Sequence, residues 1–168
     1  MSIDPNVNIK DFRYSGGKDM AAFLVGGIVG VAAGRALGLE RTEQDEIIDV
    51  MQNNDIDIKK IMVSEFKKEL AKKSDFPPLV DEGGDAQFQF EMSCMLAVGA
   101  FTNRMKPEFY LWASLKDTNG KTIWKRNEWE NEHIKGYTHK QYVENPEFLR
   151  EVFQEACSIL SKRLCKTL

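Results

Sequence analysis

From residue 87 to residue 98 the chain alternates without a break. Phe88, Phe90, Met92, Cys94, Leu96 and Val98 fall on one side, and Gln87, Gln89, Glu91, Ser93, Met95 and Ala97 on the other. Successive side chains of a strand point to opposite faces, so this pattern predicts one long strand with one buried face. The next apolar run has the same period: Phe109, Leu111, Ala113 and Leu115 alternate with Tyr110, Trp112 and Ser114. Asp117-Thr118-Asn119-Gly120 follows, and Asn-Gly tolerates the positive φ that a tight hairpin turn needs. Residues 122–126 then return as a third strand. Sequential neighbours usually pair, so an antiparallel meander is the economical arrangement.

The apolar face of that meander needs a cover, and helical periodicity supplies it. Thr42 with Asp45 resembles an N-cap arrangement ahead of Ile47, Ile48, Val50 and Met51. Asn53-Asn54 interrupts, and Asp55 or Asp57 can cap a second helix bearing Ile58, Ile61, Met62, Phe66 and Leu70. Asn145-Pro146-Glu147 opens a closing helix as N-cap, proline at N1 and first-turn acid. Its buried stripe is Leu149, Val152, Phe153, Ala156, Cys157, Leu160 and Leu164. Residues 7–14 have strand composition, with a slip in the alternation near Lys10-Asp11. Residues 76–80, with two prolines, suit an extended edge segment, and residues 81–85 a solvated turn without EF-hand spacing. The expected fold is α+β: an antiparallel sheet of three or more strands packed by two or three helices, in one domain over residues 1–168. Phe88, Phe90, Leu96, Leu111, Leu115, Val152 and Phe153 should share its core.

Residues 20–39 are a different kind of sequence. Gly26, Gly30, Gly34 and Gly38 recur every fourth residue, and Ala22 extends the row backwards. On a helix this is a strip nearly free of side chains, the small-xxx-small pattern of close helix contacts. Each interior glycine costs a helix about 1 kcal/mol relative to alanine, so a partner surface is needed to offset three or four of them. The expectation is a glycine zipper whose contact residues are Ala22, Phe23, Gly26, Ile28, Gly30, Gly34 and Gly38, meeting another copy, an envelope partner or a membrane surface. As a transmembrane span it is short: the uncharged core from Ala21 to Gly34 covers about 21 Å against roughly 30 Å of hydrocarbon. Ser15-Gly16-Gly17-Lys18 before it has neither dinucleotide nor P-loop spacing.

Chemistry is sparse elsewhere. A chain of 168 residues, 42 % hydrophobic and 29 % charged, with net charge −3, matches an ordinary globular domain and disfavours a nucleic-acid surface. Lys59, Lys60, Lys67, Lys68, Lys72 and Lys73 interleave with Glu65 and Glu69 as a solvated helix face. Cys94, Cys157 and Cys165 form no CxxC, and the last two would lie about 12 Å apart on one helix, beyond disulfide reach. All three read as buried apolar residues. His133 and His139 sit among acids six residues apart, without ligand or nucleophile partners, and read as structural or surface groups. No catalytic residue, metal or cofactor is expected. Met1 is followed by a polar run rather than a signal peptide, which suits either a cytoplasmic chain or a mature form whose leader was removed.

With the glycine-rich insert, the Lys-rich helix, the strand over 85–99 and the hairpin of Leu115, Asp117, Gly120, Lys121 and Trp124 in that order, residues 7–164 resemble the periplasmic α+β domain of small bacterial envelope lipoproteins. The resemblance rests on structural motifs and supplies no catalytic residues. It implies a non-enzymatic domain acting in assembly or association, on the periplasmic side of the envelope and anchored at the outer membrane. The lipidated cysteine of that family would stand where Met1 is. A second functional class, a small-molecule-binding or enzymatic domain with the glycine-rich insert as its lid, would require a convergent cluster of buried titratable groups.

Overall fold

The computed structural model describes residues 1–4, 7–15, 42–80, 84–98 and 102–168. Its centre is the pair β3 (Ala86–Val98) and β4 (Arg104–Asp117), antiparallel from Ala86↔Asp117 to Val98↔Met105. β5 (Thr122–Glu130) returns antiparallel along β4, so the meander stands as expected. Its turn holds Gly120 at φ +77°, and the Asp117 carboxylate accepts hydrogen bonds from the Asn119 and Lys121 N–H groups at 2.9 Å each. Only glycine adopts that φ without steric cost.

On the far side of β3, β1 (Ser2–Ile3) and β2 (Asn8–Ser15) both run parallel to it. The sheet is therefore mixed, with a parallel pair beside the meander. A parallel neighbour needs a long crossover, and the chain between β2 and β3 includes two helices. The alternation slip near Lys10 is a register shift between Ile9 and Asp11. A last short strand, β6 (Tyr137–Thr138), pairs with Arg104 and Met105 of β4.

The helices are α1 (Glu43–Asn53), α2 (Ile58–Leu70), α3 (His139–Glu144) and α4 (Pro146–Cys165). Thr42 and Asp45 form a reciprocal capping box on α1. Of the two candidate caps for α2, Asp57 takes the role and accepts from the Lys59 and Lys60 N–H groups. Asn145 caps α4, with Pro146 in its first turn. All seven stripe residues of α4 are buried, and so are all seven expected core residues. Phe66 of α2 packs edge-on against Phe88 and Phe90, at ring centroids of 5.0 and 4.9 Å. Phe153 of α4 does the same with Phe109 at 5.8 Å and Phe12 at 6.4 Å. Each such side chain contributes about 1.5–3 kcal/mol by leaving water.

Three expectations change. Val98, the last residue of the alternating run, is exposed because β3 ends there, beyond the helical layer. Residues 76–80 join no sheet; the Phe76 N–H donates back to the Lys73 carbonyl at 3.4 Å and the Val80 N–H to the Met1 carbonyl at 2.8 Å. The Lys-rich face of α2 is not wholly solvated. The Glu65 and Glu69 side chains are largely covered, with Lys68 and Lys72 folded onto them at 2.5 and 2.6 Å, and Lys73 reaches the Cys165 carbonyl of α4. Long lysine stems cover apolar surface while their ammonium groups stay wet. The glycine-ladder residues Ala22, Phe23, Gly26, Ile28, Gly30, Gly34 and Gly38 lie outside the described residues. Among the described residues no helix is long and apolar enough to cross a membrane.

Candidate functional site

Each described helix buries its apolar side in one core, which takes the inward residues of the sheet. Among the described residues the other sheet face has no covering layer. It carries the alternate positions of the same strands, and three aromatic rings stand on it. Tyr110 of β4 stacks against its cross-strand partner Trp129 of β5, with centroids 5.7 Å apart and planes 11° from parallel. Two residues along β4, Trp112 stacks on Tyr110 at 6.5 Å and 23°. Lys10 of β2 closes the row, with its Nζ 4.9 Å from the Trp112 ring centroid and paired to Glu91 of β3. The row thus crosses the sheet from edge to edge, and Tyr110 and Trp129 remain 41 % and 46 % exposed.

Tyr110 has a ring neighbour on either side and Trp112 has Tyr110 and the Lys10 ammonium, while Trp129 ends the row with Tyr110 as its one ring neighbour among the described residues. Such a row is suited to contact a surface, with its phenol O–H and indole N–H groups meeting water or polar groups at the boundary.

A second feature lies at the end of β5, where the alternation puts Glu130 on the helix side. Its side chain is 1 % exposed. One carboxylate oxygen accepts from the Glu132 N–H, the His133 N–H and the His133 ring at 2.9–3.0 Å, and the other accepts from Arg163 of α4 at 2.5 Å. Burial pushes this carboxyl up, but the His133 bonds, the Arg163 charge and the Glu132 N–H outweigh it, and the group is held below the ordinary carboxylate value. Arg163 also donates to the Trp129 carbonyl at 2.5 Å. The cluster clamps the edge strand to the helix layer. His133 serves that clamp, and His139 ties α3 to α1 through the Glu43 carbonyl and Glu46, so both histidines are structural as expected.

The remaining candidates carry less chemistry. The three cysteines are free and buried. Burial raises the Cys157 thiol, and burial with nearby Glu69 pushes Cys165 up to about 11, so neither is a ready nucleophile. Among the described residues no group of three or more His, Cys, Asp or Glu is placed to hold a metal. A cleft of about 310 Å³ between β2 and the α1–α2 corner is lined by Ile9, Phe12, Ile48, Met51, Ile56 and Ile58. Its nearby Asp57 is committed to capping α2.

Sequence reasoning placed Tyr110 and Trp112 opposite the apolar side of their strand and gave them no role. The signal was residue type: three large aromatics at outward positions of neighbouring strands. Trp129 was missed because the third strand was ended at Arg126. Glu130 had no local signal, because its partner Arg163 is 33 residues away.

No family model and no curated protein matches the chain. Among solved structures it is similar to a Xanthomonas campestris protein described by the DUF330 family model, at 8 % identity and TM-score 0.48, over 64 % of this chain and 58 % of that one. It is also similar to a minor lipoprotein from Acinetobacter baumannii, at 11 % identity and TM-score 0.45, over 64 % of this chain and 85 % of that one. The chain thus spans less than two thirds of the Xanthomonas protein.

Proposed function

We propose that this chain is a non-enzymatic domain of the cell-envelope lipoprotein type, working by association at the periplasmic side of the envelope, with the outer sheet face as its contact surface. The observation that carries this reading is the row of exposed Trp129 and Tyr110 with half-buried Trp112 on a face that no described helix covers. Large aromatics held in exposed patches are the usual anchors of contact surfaces. The hairpin and Lys-rich-helix resemblance to envelope lipoproteins supports the location. The glycine ladder of residues 20–39 adds a second contact strip, through Ala22, Gly26, Gly30, Gly34 and Gly38, for another copy of the chain. Gly30→Leu should then shift sedimentation toward monomer.

The test of the contact face uses a bacterial envelope fraction with its membranes and proteins intact. Wild-type protein should be retained on it, and the pair Tyr110→Ala with Trp129→Ala should lower retention about tenfold at unchanged circular dichroism. Equal retention of both proteins would sink the reading.

A further inference from the structure

We infer that the outer sheet face docks on an anionic lipid surface; the inference rests on the preceding reading of that face as the contact surface. The first support is charge. Lys10, Arg104, Lys106, Lys116 and Lys125 occupy outward positions on the sheet, against Glu91 and Glu108 among the described acids of that face. The register of β2 adds Asp11 and Arg13 at outward positions opposite Ser93 and Met95, so the outward positions of the described strands hold six basic residues against three acidic ones, a surplus of three on a chain whose net charge is −3. That segregation is a field with a direction.

The second support is residue type and posture. Tryptophan and tyrosine concentrate where hydrocarbon meets headgroups, because one end of each ring is apolar and the other wet. Here Tyr110 and Trp129 stand exposed beside Trp112 in one row on the sheet face, where a headgroup layer can meet them. Ile123, 53 % exposed in the bulge at the hairpin end of β5, adds apolar area at the same edge of the sheet. Lysine stems bordering the row can lie along the acyl boundary with their ammonium groups among phosphates.

The third support is what the face disfavours. A symmetric contact with a second copy would bring the surplus of one cationic face against that of the other. A fluid lipid surface needs neither shape complementarity nor a pocket.

The experiment is co-sedimentation of the full chain with vesicles of phosphatidylcholine alone or mixed with an equal amount of phosphatidylglycerol, read together with tryptophan emission. Binding should appear with the anionic vesicles, shift the emission to the blue and weaken as salt is raised. Lys116→Glu with Lys125→Glu should lower partitioning at least about tenfold, with the fold intact by circular dichroism. Trp129→Ala should lower it as well and reduce the blue shift. Binding equal on neutral and anionic vesicles, or unmoved by the two lysine reversals, would overturn the inference. So would a dimer formed through this face in sedimentation. If pure vesicles fail while the envelope fraction still retains the protein through Tyr110 and Trp129, the lipid inference falls and a protein partner takes its place. If retention fails too, the contact-face reading falls with it.

Discussion

The two faces of the sheet are built by the same strands from residues one step apart, yet they are chemically unlike. Inward, Phe88, Met92, Phe109 and Leu111 are all at most 1 % exposed under the helices. Outward, Tyr110 and Trp129 keep nearly half their surface in water. Both faces are rich in aromatics, so hydrophobicity alone does not separate them. On β3 and β4 the polar tip separates them: the inward rings are phenylalanines and the outward ones tyrosine and tryptophan, while on β5 the inward Trp124 packs edge-on against Phe88 and stays partly buried. A ring without a hydrogen-bonding group can be sealed in a core at no polar cost, and a ring with one is suited to a boundary.

The largest expected effect lies inside. Phe88→Ala should cost about 3–5 kcal/mol, because its ring meets Phe66, Phe90 and Trp124 in a space that cannot collapse fully. Tyr110→Ala on the outer face should cost well under half of that by denaturant melts. Equal losses would mean that the outer row is packed like a core, and the contrast between the faces would be gone.

Next comes Glu130, the most deeply buried carboxylate among the described residues. Glu130→Gln should cost about 2–3 kcal/mol, since it leaves Arg163 and two backbone donors facing a neutral amide. Folding lowers this carboxyl's pKa, so its stabilisation is present above the unfolded carboxylate pKa and is lost as pH falls through the folded one. Wild type and variant should therefore be furthest apart near neutral pH and should converge as the pH drops below about 4. A gap that stayed constant down to pH 2 would show that the charge of Glu130 contributes nothing.

These cases also explain what could be read from sequence. The inner face was legible because period two and helical period are local and repeat many times: Phe88, Phe90, Leu96, Leu111 and Leu115 all fell where the alternation put them. Caps were legible for the same reason, since Thr42–Asp45 and Asn145–Pro146 signal within one turn. The parallel placement of β2 was not, because direction depends on a crossover whose path no short pattern encodes. Glu130 was hidden in a polar run, its burial made tolerable by an arginine on another element. The outer row was half visible: the outward register of Tyr110 and Trp112 was clear, but their neighbour on β5 emerges only once pairing brings Trp129 opposite Tyr110.

A smaller effect measures how far the row acts as a unit. A double-mutant cycle on Tyr110 and Trp129 should return about 0.5–1.5 kcal/mol of coupling, the value expected of stacked rings beyond their area. Coupling near zero would mean that the rings stand side by side without supporting each other. They would then be separate exposed side chains rather than one ridge.

The smallest effect concerns Lys10, which has two partners with different physics. Its bond to Glu91 is a surface ion pair, worth about 0–1 kcal/mol and weakened by salt. Its position over Trp112 is a cation–π contact, worth about 0.5–1 kcal/mol at an exposed site. Two double-mutant cycles, Lys10 with Glu91 and Lys10 with Trp112, should give similar values at low salt. Raising the salt should shrink the first, because charges in water are screened, and leave most of the second, where the ring shields one side of the ammonium. The difference reaches the function of the face. A lysine latched to a ring and a carboxylate is less free to meet a phosphate than one standing alone, so Lys10→Met should weaken vesicle binding less than Lys125→Met. If Lys10→Met weakens it more, the ammonium at the end of the row is itself the lipid contact, and Glu91 only holds it in place until a headgroup arrives.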